Sequence, residues 1–206
     1  GGNYRVFAID GSDAQRGDAT GENMIERYCT GNFLAGQRLI YASASGLPVG
    51  RYIFKAVAQK GADGGVIELF ANDDRSPVTS VKVLRETEVA TDVLDQDLTV
   101  GVESGLNNAC QWVSFADVAL EYQSPYMLLE EAVAASDTLT YGEDKGGALK
   151  KAADEARVLL VSGEARERMA AYHTLLDAME QYRLDNASVA HPVDLTVRIQ
   201  NAGFDI

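Results

Sequence analysis

Apolar and polar residues alternate along the first part of the chain and recur at helical spacing further on. The longest alternating run extends from Trp112 to Tyr122, and a second one extends from Arg51 to Ala58. Alternation at period two is typical of strands that bury one face. The pattern therefore predicts a β-rich region that closes before Ser124 and Pro125, where a helical pattern begins.

Short runs with β character, separated by turn residues, occupy the β-rich region. The predicted strands are Tyr4–Ile9, Leu39–Ala44, Tyr52–Gln59, Val66–Ala71, Val78–Leu84, Asp97–Glu103 and Trp112–Tyr122. Many short strands at this spacing are typical of a β-sandwich or barrel. Within the third run, Tyr52, Phe54 and Ala56 are expected to share one face with Ala58, because side chains alternate along a strand.

Three amphipathic helices are predicted after the β-rich region. Pro125 suits a first helical turn, with Ser124 as the N-cap. The apolar stripe of this helix continues to Leu139, and further helices are predicted over 147–161 and 164–184. Short connections between amphipathic helices are typical of a small antiparallel three-helix bundle.

The charge of the chain limits its partners. The net charge is −13, and no basic patch interrupts the acidic surface. Phosphate backbones and anionic membrane surfaces would both be repelled, so we expect no nucleic-acid partner. No apolar run reaches the length of a membrane span, so we expect no membrane insertion. The chain begins with Gly1-Gly2-Asn3 rather than Met, and the expectation is that any signal peptide has been removed.

The cysteines and acidic residues leave two questions open. Cys29 and Cys110 could form a disulfide in an oxidising compartment or remain buried thiols. A zinc site is not expected, because there is no Cys-x-x-Cys pair or Cys/His cluster. The oxygen ligands of Asp10, Asp13 and Asp18 could hold calcium, although a plain surface loop explains the same residues.

Three motifs occur in a fixed order in the β-rich region. They are Gly46-Leu47-Pro48-Val49-Gly50-Arg51-Tyr52, Leu69-Phe70-Ala71-Asn72, and Trp112 to Tyr122. In this order they resemble the galactose-binding-domain-like modules of secreted gut-bacterial glycan-handling proteins. The resemblance implies a jelly-roll β-sandwich like those of carbohydrate-binding modules, located outside the cell or on its surface. The Ala-rich stretch from Leu149 to Ala156 is similar to helical spacer repeats of bacterial extracellular proteins.

Two regions qualify this resemblance. The family pattern Phe-Asp-Asn is Phe115-Ala116-Asp117 here, so a cation or buried hydrogen bond that depends on the first Asp would be lost or rearranged. The tail from Asp194 to Asp205 resembles the opening strand of the same family. It is either the first strand of a following module or a strand supplied to the sandwich of its own or a neighbouring molecule.

The predicted organisation is a β-sandwich over 1–124, a helical spacer over 125–190, and a linker with a strand-like tail over 191–206. The implied function is a non-catalytic carbohydrate-binding accessory module of a larger multidomain bacterial protein. The alternative is a structural or adhesive spacer that contacts proteins and has no small ligand. The predicted partners are a glycan and other modules of the same parent chain.

Sugar binding requires aromatic faces and planar polar groups, usually carried on loops. The predicted ligand-binding residues are Tyr28, Arg51, Asn72, Asp73, Arg75, Asn107, Asn108 and Gln111. Tyr41 is a further candidate, but core packing is the favoured expectation for Tyr41 and Trp112, because large aromatic residues in strands are mostly buried. No catalytic constellation is visible: the histidines, His173 and His191, lie on a helix and in a linker, and the common catalytic motifs do not occur.

Overall fold

The computed structural model describes residues 3–9, 16–61, 64–105 and 109–194. Contacts between Cα atoms divide the chain into two units, Gly1–Gln123 and Ser124–Ile206. In the described residues, the first unit is built from strands and the second from helices. Each unit is considered separately below.

The strands of the first unit form two antiparallel sheets. They are β1 (Asn3–Ala8), β2 (Asn23–Tyr28), β3 (Arg38–Ala44), β4 (Gly50–Lys60), β5 (Ile67–Ala71), β6 (Asp74–Pro77), β7 (Arg85–Val93), β8 (Leu98–Ser104) and β9 (Trp112–Gln123). One sheet has the order β1-β2-β9-β4-β7, and the other has the order β3-β8-β5-β6. This arrangement confirms the predicted β-sandwich.

The core lies between the two sheets. Tyr52 and Phe54 of β4 pack in one apolar cluster with Leu69 of β5 and Val102 of β8. Ala56 and Ala58 belong to the same cluster, which confirms the predicted face of β4. Side chains that alternate with these residues point away from the core, and those of the four-stranded sheet form an outer face.

The prediction of a strand over 78–84 is wrong. Val78 and Leu84 are buried, but Lys82 between them has a φ of +60°, which is a turn conformation. The strands on either side of this segment pair instead: β6 pairs with β5, and β7 pairs with β4. The prediction also missed β2, β6 and β7. Charged residues interrupt the apolar alternation of β2 and β7, and β6 has no apolar alternation to detect.

A β-bulge divides β9 into two halves. The pairing register with β4 shifts between Lys55 and Val57, and Asp117 has a φ of +48°. A residue in this left-handed conformation lets the strand insert one extra position. As a result Phe115 and Leu120 both face the side of β9 that carries the inter-sheet core, although they are five positions apart.

The cysteines lie on neighbouring backbone segments. The Cys29 amide donates to the Gln111 carbonyl at 3.0 Å, one position from Cys110. Cys29 is half-buried and Cys110 is buried, and the structure describes both as thiols without a disulfide between them. The structure therefore describes the thiol alternative of the two that the sequence left open.

The second unit contains α1 (Pro125–Ser136), α2 (Ala148–Ser162) and α3 (Ala165–Asp185), with a 3₁₀ turn over Lys145–Gly147. The Ser124 hydroxyl accepts a hydrogen bond from the Met127 amide at 3.2 Å, which confirms the predicted N-cap. The helices bury one another's apolar stripes. The buried large side chains are Leu128, Leu129, Val133, Leu149, Met169, Tyr172, Leu175, Met179 and Tyr182. Within the described residues, none of the helices has both the length and the apolar character needed to span a membrane.

Candidate functional site

The outer face of the four-stranded sheet carries aromatic, cationic and acidic side chains in cross-strand rows. Pairing places Tyr41 beside Gly101, Gly101 beside Phe70, and Phe70 beside Arg75. A second row contains Arg38, Glu103, Glu68 and Pro77. Facing side chains in adjacent strands lie about 5 Å apart, so the residues of each row can act together.

Phe70 is the floor of this outer face. It points away from the inter-sheet core, yet its side chain is fully buried. The guanidinium carbons of Arg38 and Arg75 lie 4.9 Å and 5.4 Å from its ring centre. These cation–π contacts shield the ring from water and place both guanidinium groups over it.

Gly101 lets the backbone and ring approach closely. A Cβ built at this position would lie 2.2 Å from the Ile40 carbonyl oxygen and 2.9 Å from the Phe70 ring. Any larger residue would therefore clash with the backbone of β3 and with the Phe70 ring. A glycine in the interior of a strand often marks such an approach, and this is the sequence signal that could have located the site.

Arg75 is held in place by polar contacts as well as by Phe70. Its Nε donates to a carboxylate oxygen of Glu103, which is 8% exposed, and its Nη1 donates to the carbonyls of Asn72 and Asp74 at 2.8 Å and 3.0 Å. A guanidinium fixed in this way presents its remaining N–H groups in a defined direction. The structure places Arg75, a predicted site residue, on β6 at the outer face of the four-stranded sheet.

Tyr41 lies on the same outer face, and the expectation that it packs in the core is wrong. Its side chain is 59% exposed, because β3 is the edge strand and Tyr41 points outward. Arg38 lies 5.7 Å from the Tyr41 ring centre, which connects this exposed ring to the Phe70 cluster. Ser43 and Thr99, whose hydroxyl oxygens are 2.9 Å apart, continue the polar surface along the strands.

Asn72 and Asp73 lie in the turn that leads into β6. Asn72 has a φ of +50°, its side-chain oxygen accepts from the Thr99 amide at 2.8 Å, and its side-chain nitrogen donates to the Asp97 carbonyl at 3.1 Å. These bonds fix the turn next to Arg75. The Asn72 side chain therefore has a structural part in shaping this edge, and Asp73 is exposed beside it.

The other predicted ligand-binding residues lie on the five-stranded sheet or outside the described part of the chain. Arg51 forms an ion pair with Asp92 on the adjacent strand, with Nε 2.9 Å from the carboxylate. Tyr28 and Gln111 lie at the opposite end of that sheet, where Arg5 covers the Tyr28 ring at 4.8 Å. Two further predicted residues, Asn107 and Asn108, are outside the described residues.

A buried cation lies near Tyr28 on β2. Arg27 is 6% exposed, and its guanidinium carbon is 4.3 Å from the centre of the Tyr4 ring. Its Nε and Nη1 atoms are buried and find no hydrogen-bond partner among the described residues. The Tyr4 ring therefore provides a cation–π contact to this guanidinium.

The predicted calcium ligands are only partly described. Asp18 accepts hydrogen bonds from Arg85 Nη1 at 2.7 Å and from the Glu86 amide at 3.1 Å. The Glu86 amide, followed by Arg85, lowers the pKa of the Asp18 carboxyl. Asp10 and Asp13 lie outside the described residues, and the described ones contain no group of three or more His, Cys, Asp or Glu that could hold a metal.

Asp117, which replaces the Asn of the motif, has a structural role. Its carboxylate accepts from the Thr20 amide at 2.5 Å, the Thr20 hydroxyl at 3.0 Å and the Gly21 amide at 3.0 Å. These bonds lower the pKa of the Asp117 carboxyl, and the bond from the Thr20 amide has the largest effect. The carboxylate of the bulge thus connects β9 to the segment before β2.

No protein-family model matches the chain, and no curated protein sequence matches it. Several solved structures are similar to its β-sandwich. TmCBM61 in complex with beta-1,4-galactotriose shares 19% identity over 60% of this chain and 86% of that one, with a TM-score of 0.41. A putative sugar-binding protein from Bacteroides thetaiotaomicron shares 11% identity over 59% and 88%, with a TM-score of 0.36. A cyclase from Fischerella sp. TAU shares 19% identity over 59% and 75%, with a TM-score of 0.42.

Proposed function

We propose that the first unit is a carbohydrate-binding module and that a sugar binds on the outer face of its four-stranded sheet. The observation that carries this proposal is the exposed Tyr41 ring, with the Arg38 guanidinium 5.7 Å from its centre and Arg75 held by Glu103 on the same outer face. Sugars present an apolar C–H face and a rim of hydroxyl groups. A binding surface for them combines an aromatic ring with planar, oriented polar groups.

Each part of the outer face has a role in this proposal. The Tyr41 ring packs against the C–H face of one sugar ring. Arg38 and Arg75 donate hydrogen bonds to hydroxyl oxygens, while the hydroxyls of Ser43 and Thr99 extend the contact along the strands. Preorganisation by Phe70 and Glu103 limits the side-chain entropy that binding would otherwise cost.

The wider proposal follows the motifs of the β-rich region. We place the first unit among galactose-binding-like jelly rolls, and we place the second among helical spacer bundles. In this proposal the chain is a non-catalytic accessory part of a larger extracellular bacterial protein, where it keeps that protein at a glycan. Several similar structures carry sugar-binding names, but at these TM-scores the proposal depends on the residues of the outer face.

A glycan-array and polysaccharide affinity screen tests this function, with calcium and with a chelator. Tyr41→Ala should weaken any specific binding by about fivefold or more, because one aromatic contact contributes roughly 1 kcal/mol or more. Tyr126→Ala is the matched control, because Tyr126 is an exposed tyrosine of the helical unit. Its side chain is 43% exposed, compared with 59% for Tyr41. The proposal fails if no glycan binds in either condition, or if both variants bind as well as the wild type.

The screen also distinguishes a sugar site on the outer face from one at the predicted calcium ligands. Binding that survives Tyr41→Ala but is lost in the chelator would move the site to the predicted calcium ligands around Asp18. Specific binding that is unaffected by chelator and lost with Arg75→Ala would place the sugar on the outer face. The structural or adhesive alternative would gain support from a complete absence of glycan binding.

A further inference from the structure

The sandwich contains an apolar groove that opens between its sheets. The groove has a volume of about 480 Å³ and is lined almost entirely by apolar side chains. Ile40 and Val100 line it from the four-stranded sheet, and Phe54 and Phe115 line it from the five-stranded sheet. Interiors of folded domains are close-packed, so an apolar gap of this size between two sheets is a place where a packing element is expected.

The rim of the groove is an unpaired half of β9. β2 pairs with β9 only over Trp112 to Phe115, although β4 pairs with β9 as far as Gln123. Among the described residues, the second edge of β9 from Val118 to Gln123 therefore has no strand partner. Unpaired edges next to apolar surface readily accept another strand.

The side chains of this rim are more exposed than strand residues of their type usually are. Val118 is 56% exposed, Leu120 is 47% exposed and Tyr122 is 44% exposed. They recur at period two on the side of β9 that faces the groove, and Val118 and Leu120 line it directly. An extended segment with apolar residues at alternate positions would therefore pair with the backbone edge and also cover the apolar face.

The chain itself carries one segment of that description. Residues 194–200 read Asp-Leu-Thr-Val-Arg-Ile-Gln, with Leu195, Val197 and Ile199 at alternate positions. A seven-residue strand extends about 23 Å, which is sufficient for the six open positions of β9. The segment has one acidic and one basic residue, so its approach adds little repulsion to a chain of net charge −13.

We propose that residues 194–200 of one copy add to the open edge of β9 in a second copy and fill the apolar groove with Leu195, Val197 and Ile199. The contact is head to tail, because it joins two different surfaces of the chain. Each copy then keeps one free segment and one free groove, so association continues beyond the dimer unless a ring closes. The groove shares Tyr41 and Gly101 with the outer face proposed for glycan binding, so the two sites adjoin.

Complementary variants of the full chain test the proposal. Val197→Asp should disable the segment and leave the groove intact, whereas Leu120→Asp should disable the groove and leave the segment intact. The wild type should sediment with a mass that increases with concentration, and each variant alone should remain a monomer. An equimolar mixture of the two variants should form a one-to-one dimer, because one intact segment and one intact groove remain.

Further variants guard against misfolding and nonspecific effects. Val118→Asp should reproduce the result of Leu120→Asp, because both residues line the groove. Val161→Asp is the control, since Val161 is 87% exposed on α2 and should leave association unchanged. Circular dichroism spectra identify any variant that does not fold.

Two outcomes would overturn the proposal. The first is a wild-type chain that stays monomeric up to high micromolar concentration, which would also be the result if the segment occupied the groove of its own molecule. The second is a mixture of folded variants that remains monomeric while the wild type associates, because association would then use another surface.

Discussion

Asp117 provides a direct test of how the sandwich is held together. Its carboxylate accepts hydrogen bonds from two backbone amides and one hydroxyl, those of Thr20 and Gly21. Each bond contributes about 0.5–1.5 kcal/mol to stability. Because Asp117 is only half-buried, values near the lower end apply, and Asp117→Ala should destabilise the first unit by about 1.5–3 kcal/mol.

Two further substitutions separate the hydrogen bonds from the backbone conformation. Asp117 has a φ of +48°, where a residue other than glycine costs roughly 1 kcal/mol. Asp117→Gly removes the bonds and the strain together, so it should destabilise less than Asp117→Ala. Asp117→Asn keeps one acceptor oxygen and should cost less than the Ala variant. Asp95→Ala, in an exposed turn, is the control and should change stability by less than about 0.5 kcal/mol.

Urea unfolding, followed by tryptophan fluorescence, measures these differences. Trp112 is the only tryptophan and lies at the start of β9, so its signal reports the first unit. A stability of Asp117→Ala within about 0.5 kcal/mol of the wild type would refute the structural role of the carboxylate.

The difference between wild type and Asp117→Ala should also depend on pH in a defined direction. The folded state lowers the pKa of this carboxyl below its ordinary value near 3.8. The stabilisation is therefore fully present above that value and is lost as pH falls through the lower folded pKa. A difference that stays constant from neutral pH to pH values well below 3.8 would contradict this linkage.

Two other substitutions test local packing and capping. Gly101→Ala should destabilise the first unit by about 1–3 kcal/mol, because the new Cβ would lie 2.2 Å from the Ile40 carbonyl oxygen; unfolding in urea measures this, and an unchanged midpoint would contradict it. Asn186→Ala should destabilise the helical unit by about 1–2 kcal/mol, because its side chain bonds the Glu143 amide at 2.9 Å and the Tyr182 carbonyl at 2.8 Å. Thermal melting of the helical circular dichroism signal checks this prediction, and a melting temperature equal to that of the wild type would argue against it.

The sequence was sufficient where one physical pattern dominated. Long alternation identified β4 and β9, and a capping residue followed by proline identified the start of α1. The sequence-based prediction failed where a strand buries charged residues as well as apolar ones. Glu26 and Arg27 are buried in β2, and that strand is invisible to a search for apolar alternation.

The candidate site was harder to predict because it depends on cross-strand neighbours. Tyr41 looks like a core residue until the sheet order shows that β3 is an edge strand. Phe70 is fully buried, yet two arginines rather than the core cover it, and no local pattern reveals that. Gly101 was the one local signal, because a glycine inside a strand indicates a close approach.

The most direct test of the central claim is to map a bound sugar by NMR. Amide resonances of the ¹⁵N-labelled chain would be followed during titration with the best glycan from the array. The account predicts that the largest shifts cluster on the outer face of the four-stranded sheet, at Tyr41, Phe70, Arg75 and Gly101. Saturable binding with shifts confined to the five-stranded sheet or to the helices would contradict it.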